Sequence, residues 1–409
     1  KLGESKKALL NYDKAIEIDP NFAPAYNNRA SLYHDLGEYD KALADYGKAV
    51  ELNPNLATVY KNRAGVYIFL QNYKKAIEDL NRAIDISPDY AGAYNERGNA
   101  YINLGEFDKA ARDYNSAIEL NPNDAYAYGG LGYVYAELED FQKAVEYYSK
   151  AIEIDPNFAQ LYSDRASVYY DFGYYDKAIE DCGRTVELDP DFQEAYYTRA
   201  LAYDALGDYE KAVEDYSVLI ELNPDDITSR MNRGVDYYRL GDYKNAVESF
   251  DEILDIDPQL AEVYYNRASV YHALRYYAKA IEDLNRAIGL EPNYAKAYGN
   301  RGFAYYCAGK FERAMEDYNK AVKIDPNFAK AYNNRALIYT IWKNYDKAIL
   351  DLTRAIELAP DFSDAYGNRA NAYAMIKDYK RAIADARKAC ELGDSRLFDF
   401  LKENYAFEY

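Results

Sequence analysis

The residues of this chain that could do chemistry are two histidines, three cysteines and a regular series of arginines and aspartates. His34 and His272 have no Cys or carboxylate beside them at a metal-ligand spacing. Cys182, Cys307 and Cys390 are odd in number and far apart, and none has a Cys-x-x-Cys neighbour, so no disulfide framework, redox pair or zinc site is expected. No glycine-rich loop of the phosphate-cradling kind is present. The reading is therefore of a non-enzyme with no catalytic residues, no metal and no cofactor. The arginines are different. Arg29, Arg63, Arg97, Arg165, Arg199, Arg233, Arg267, Arg301, Arg335 and Arg369 fall on a single 34-residue grid. Nine of the ten are followed 16 residues later by Asp, from Asp45 to Asp385; Arg233 meets Ser249, and the one grid point without Arg, Leu131, meets Tyr147. A guanidinium fork matches a carboxylate bidentately, and a partly buried Arg needs such a partner. The pairing reads as an internal strut between two elements; a ladder of arginines open to anionic ligands is the sharper alternative.

The elements that would hold such a strut follow from the same grid. Eleven of the twelve prolines, from Pro20 to Pro360, stand 34 residues apart without an insertion or deletion, and only Pro24 lies off the series. With each of these prolines at position 32, full repeats start at residues 23, 57, 91 and so on to 363. Position 11 is always Tyr, position 20 always Ala, position 4 Tyr in all but Arg230, position 8 always Ala or Gly, and position 17 always Tyr or Phe. Apolar residues fall at i, i+3, i+4 and i+7 in each half of the repeat, which is helical spacing with one buried stripe. Glycine at position 15 in six repeats (Gly37, Gly105, Gly173, Gly207, Gly241, Gly309) fits a left-handed helix terminus. Asp or Asn beside the proline reads as turn and cap chemistry. Each repeat is thus two antiparallel helices, A and B, that bury their stripes only by stacking into a solenoid.

This pattern resembles the tetratricopeptide repeat: the length, the small residue at 8, Tyr at 11, Ala at 20, the aromatic or apolar residue at 24 and Pro at 32. The resemblance implies an all-α, right-handed superhelical solenoid of antiparallel helix pairs, with A helices lining a concave face that holds a peptide or a partner helix. Most members are not enzymes. On this grid residues 1–22 are a leading half repeat (helix B only), residues 23–396 are eleven tandem repeats, and residues 397–409 are a C-terminal capping helix and tail.

The resemblance also places positions 2, 5, 6, 9, 12 and 13 on the groove. Position 6 is Asn in seven repeats: Asn28, Asn62, Asn232, Asn266, Asn300, Asn334 and Asn368. This is similar to the asparagine ladder of the O-GlcNAc transferase superhelix. An amide offers a donor and an acceptor, and so grips peptide backbone without reading sequence. The plainer role is a hydrogen bond to the neighbouring A helix. Of the 49 tyrosines, 35 are set by positions 4, 11, 17 and 24. Seven others fall on the groove: Tyr126, Tyr133, Tyr170, Tyr197, Tyr238, Tyr265 and Tyr306. Their rings suit a recognition surface, or equally helix packing across the groove. Acidic groove residues (Glu137, Asp164, Asp171, Glu194, Asp204) cluster centrally, so a basic peptide is expected there. The chaperone-tail carboxylate clamp of the family is absent, because Lys61 is followed by Gly65.

The net charge of -20 argues against nucleic acid as a partner, and no apolar run is long enough for a membrane span. Three unpaired cysteines lean toward a reducing, cytoplasmic compartment. Beside the protein-interaction scaffold, two readings stay open. One is a structural subunit that self-associates head-to-tail into a fibre, since the chain begins and ends at position 13 and the register would continue across a junction. The other is the substrate-recruiting arm of a larger enzyme.

Overall fold

The computed structural model describes residues 2–393. The proposed capping helix and tail over 397–409 lie outside the described residues. Within them the chain forms 23 helices and no strand. The helices divide into two compact units, Lys1–Asp208 and Tyr209–Tyr409. The first holds α1 (Leu2–Ile18), five A/B pairs from α2 (Ala23–Asp35) and α3 (Tyr39–Leu52) to α10 (Ala159–Asp171) and α11 (Tyr175–Leu188), and then α12 (Gln193–Leu206). The second holds α13 (Tyr209–Leu222) and five pairs from α14 (Ile227–Arg239) and α15 (Tyr243–Ile256) to α22 (Ser363–Met375) and α23 (Tyr379–Glu391). In both units an A helix packs on its own B helix, on the B helix before it and on the adjacent A helices, whereas adjacent B helices make at most slight contact. The A helices are therefore the inner layer of each stack.

The repeat signature is a packing code. Alanine at position 20 is fully buried from Ala42 to Ala382, where its small side chain lets the A and B helices approach. The small residue at position 8 leaves room for the ring at position 24: a Cβ on Gly132 would come 2.8 Å from the Tyr148 ring, and one on Gly302 would come 2.8 Å from Tyr318. Those rings are among the largest fully buried side chains. The Tyr at position 4 donates its hydroxyl to the carbonyl of the proline six residues earlier, as in Tyr94 to Pro88 at 3.2 Å and Tyr162 to Pro156 at 3.2 Å. Lys or Arg at position 19 covers the Tyr at position 11, as Lys143 does Tyr135 at 4.8 Å.

The turns follow the same economy. Position 15 ends each A helix in the left-handed region, with φ from 71° to 80° at its six glycines. Gln71, Glu139, Arg275, Lys343 and Lys377 adopt it too, at φ 56° to 68°, at a cost of about 1 kcal/mol each. At the other turn the residue before the proline does not cap a helix. Its side chain accepts the backbone N–H two residues on, as Asp325 does from Asn327 at 2.9 Å. The A-helix N-cap is position 34, mostly an aromatic or aliphatic residue without a capping bond; Asp124 and Asp226 are exceptions, accepting from the N–H of Ala127 and Ser229.

The arginines form struts. In at least eight repeats the position 7 guanidinium grips the Asp 16 residues later with two bonds; in Arg301 these run from Nε to Asp317 Oδ2 (2.8 Å) and from Nη2 to Oδ1 (2.7 Å). In most of these, Nη1 also reaches back to position 25 of the preceding B helix. Arg301 donates to Asn285 (2.7 Å), Arg165 to Ser149 (2.8 Å), Arg369 to Thr353 (3.1 Å), and Arg267 bonds Asp251. One side chain thereby ties three helices, with three of its five N–H donors used inside the fold. In the repeat with Ser249, the partner is supplied from elsewhere: Glu252 receives both Arg233 (2.9 Å) and Arg230 (3.2 Å).

Candidate functional site

Three cavities lie on the A-helix layer. In the second unit a cavity of about 760 Å³ opens over α18 (Ala295–Cys307), α20 (Ala329–Ile341) and α22. Asn300, Asn334 and Asn368 line it from position 6, with Asn333, Asn371, Lys330 and Asp364 as further polar groups and Phe303, Leu337, Phe328 and Phe362 as apolar wall. A neighbouring cavity of about 420 Å³ shares Asn300, Phe303 and Lys330 and adds Tyr238, Tyr265, Asn266 and His272. In the first unit a cavity of about 340 Å³ is lined by Tyr126, Tyr133, Gln160 and Asp164.

Glycine at position 5 lines two of these three spaces. Gly299 and Gly367 line the 760 Å³ cavity and Gly129 the one in the first unit. A Cβ on Gly299 would come 2.7 Å from the Phe328 ring, so the missing side chain lets that position 34 aromatic lean in as a wall. Where position 5 is larger, the side chain takes the place: Met231 there accepts from the Asn266 amide at 3.3 Å, and Lys61 pairs with Glu96 at 3.2 Å.

The asparagines are held across repeats. Asn368 Nδ2 donates to Asn333 Oδ1 (2.9 Å), and Asn333 Nδ2 donates to Asn334 Oδ1 (3.2 Å). Asn62 donates likewise to Asn27 (3.3 Å). Each such bond uses one of an amide's two N–H donors and fixes the ring of amides in orientation. Asn28 is exposed, and Asn232 donates to the Tyr216 hydroxyl (3.3 Å) against the core. These two, Asn62, Tyr170, Tyr197 and Tyr306 lie outside the three cavities. Tyr170 tilts against Tyr175 at 5.6 Å, and Tyr306 sits 5.7 Å from Phe311, which is helix-to-helix packing. Phe303, Phe328, Phe362, Asn333 and Asn371 line the main cavity without having stood out in the sequence; glycine at position 5 followed by an aromatic at position 34 was the available signal.

Burial shapes the electrostatics. The Asp164 carboxyl is pushed above its ordinary range by desolvation, with the Gln160 amide (2.8 Å) pulling it back in part. His272 is shifted down by burial and then by Lys330, and stacks on Phe303 at 4.7 Å. Among the described residues no group of three or more His, Cys, Asp or Glu is placed to hold a metal ion, and no helix is long and apolar enough to cross a membrane.

Family models of the tetratricopeptide repeat match residues 23–56, 95–157, 159–192, 193–226, 261–294, 295–328, 329–362 and 352–384, and further ones match 1–37, 66–105 and 234–274. The chain belongs to the tetratricopeptide repeat family. A comparison with curated proteins finds no match. Among solved structures, this tetratricopeptide repeat protein is similar to the APC/C hetero-tetramer Cut9-Hcn1, with 15% identity, 100% of this chain and 94% of the other covered, and a TM-score of 0.51. It is also similar to yeast Tom70 (18% identity, 93% and 95% covered, TM-score 0.48). A third is YrrB, whose structure is described as having an unusual peptide-binding site (27% identity, 46% and 97% covered, TM-score 0.38). The all-α repeat architecture is shared, and tetratricopeptide repeat proteins are in general non-catalytic protein-interaction scaffolds.

Proposed function

We propose that the chain is a scaffold that holds a peptide or protein segment on its A-helix face, with the principal seat over the cavity of Asn300, Asn334 and Asn368. The observation that carries this reading is that cavity itself: about 760 Å³, walled by Phe and Leu and set with amides, of which Asn368, Asn333 and Asn334 are bonded in series. Ligand sites are concave, largely apolar and set with few fixed polar groups. An extended backbone offers an N–H or C=O at every residue, and amides at a one-repeat spacing can meet such groups irrespective of side chains. In the first unit Asp164, buried beside Tyr126 and Tyr133, favours a Lys or Arg side chain, which would offset the desolvation of its carboxylate.

The test is capture of a partner by the purified chain, followed by binding measurements with the combined variant Asn300→Ala, Asn334→Ala, Asn368→Ala. At about 1 kcal/mol per lost hydrogen bond, affinity should fall at least about 100-fold with the melting temperature little changed. A partner bound equally well by parent and variant refutes the groove as the seat.

A further inference from the structure

The A-to-B turns of the second unit form one edge of its stack, because successive A helices lie side by side. The turn segments 239–247, 273–281, 307–315, 341–349 and 375–383 contain eleven Lys or Arg and four Asp or Glu. The same positions in the first unit, 35–43, 69–77, 103–111, 137–145 and 171–179, contain six and ten. The fold is identical in both, so the basic edge is not a requirement of the repeat. It also opposes the net charge of -20. All eleven cations are exposed.

The backbone gives an independent sign. Position 15 takes a left-handed conformation that glycine adopts at least cost. In the second unit three of these sites carry cations instead: Arg275 at φ 60°, Lys343 at φ 58° and Lys377 at φ 68°. The two such substitutions in the first unit are Gln71 and Glu139, neither of them basic. Strain of this kind persists where the side chain has a use. Beside Lys343 and Lys377 stand Ile341, Trp342, Met375 and Ile376, which are 44%, 44%, 54% and 43% exposed. Four large apolar side chains at the turns of two adjacent repeats, ringed by cations, have the make-up of an interface centre.

We propose that this edge is a second docking surface, separate from the groove, for an acidic protein segment that carries apolar side chains. The apolar centre supplies contact area and the cations supply steering and register. A bilayer of anionic lipid fits less well. Glu312 and Asp346, both exposed, are interleaved with the cations and would oppose lipid phosphates, whereas a peptide's side chains can step past them. With the groove occupied as well, one molecule would join two partners.

The experiment uses the full chain and a fluorescein-labelled peptide of three Glu-Leu-Asp-Glu units, read by anisotropy at low and high salt. Binding should appear at low salt and weaken as salt rises. The combined variant Arg275→Gly, Lys343→Gly, Lys377→Gly removes three charges together with their backbone strain. It should melt no lower than the parent and bind the peptide at least about tenfold more weakly. Trp342→Ala should weaken binding roughly fivefold or more. The proposal is overturned if the parent fails to bind, or if both variants stay within about twofold of it. It is also overturned if phosphatidylserine vesicles hold the parent more tightly than the peptide does, or if the edge proves to be occupied by a second copy, seen as a dimer that the glycine variant dissolves.

Discussion

Asp317→Ala deletes the carboxylate that Arg301 grips within its own repeat. Asp317 is only 5% exposed and receives two of the guanidinium's bonds, at 2.8 and 2.7 Å. Burial pushes its carboxyl above the usual range, and the Arg301 bonds pull it back only in part. Desolvation thus takes more from the charged carboxylate than its partner returns, which is the regime in which breaking a buried pair costs about 3–5 kcal/mol. Arg301 keeps its bond to Asn285 at 2.7 Å and is 18% exposed on its side chain, so water and that amide absorb part of the loss. The expected destabilisation is about 2–4 kcal/mol, or roughly 5–15 °C in melting temperature for a cooperative unit of some 200 residues.

The double variant Arg301→Met, Asp317→Leu should recover most of this and melt within about 1 kcal/mol of the parent, because apolar side chains of similar size avoid the desolvation altogether. Far-UV circular dichroism with thermal and guanidinium unfolding of the parent, Arg301→Met, Asp317→Leu and the double variant gives the coupling energy directly, with Asp317→Ala measured alongside. Two outcomes refute the reasoning. A single variant within about 0.5 kcal/mol of the parent would mean that water already solvates the pair. A double variant as poor as the sum of the singles would mean that the two residues are not coupled, so that the single change breaks no pair.

Three further outcomes are expected. Gly299→Ala sets a Cβ 2.7 Å from the Phe328 ring, so it should cost about 1–3 kcal/mol by denaturant unfolding and alter binding over the main cavity through the displaced wall. Gly37→Ala, at φ 76°, should destabilise by about 1 kcal/mol while Gln71→Gly, at φ 56°, should not destabilise, a reversal of the usual glycine penalty. Asp164 has a folded pKa raised by burial, so the folded state holds its proton more tightly than the unfolded chain. Its contribution is favourable below the unfolded value of about 3.9 and is lost as pH climbs through the raised one; Asp164→Asn should therefore be more stable than the parent at pH 7, with the gap closing near pH 4.

How much of this was legible in the sequence depended on whether both partners of an interaction obey the grid. Arg at position 7 and Asp at position 23 both do, so the strut within a repeat could be read from a 16-residue spacing, and the structure shows it as a bidentate bond. The third helix of the strut was hidden. Its acceptor at position 25 varies among Asp13, Gly47, Asn81, Ser149 and Thr353, and any of these but the glycine serves as an oxygen. The bond from the position 4 tyrosine to the proline carbonyl was hidden for another reason: its acceptor is backbone, which leaves no mark on residue identity. The groove was half legible. Position 6 marks a face, yet a cavity also needs empty space, and that is recorded by absence of a side chain at position 5. Asn62 lies behind Lys61 and Asn232 behind Met231, whereas Asn300 and Asn368 follow Gly299 and Gly367. An amide of the ladder is therefore best placed as a seat where glycine precedes it, in repeats nine and eleven (Gly299, Gly367), with the position 34 rings of Phe328 and Phe362 as walls; Asn334 of repeat ten lies between them behind Asn333.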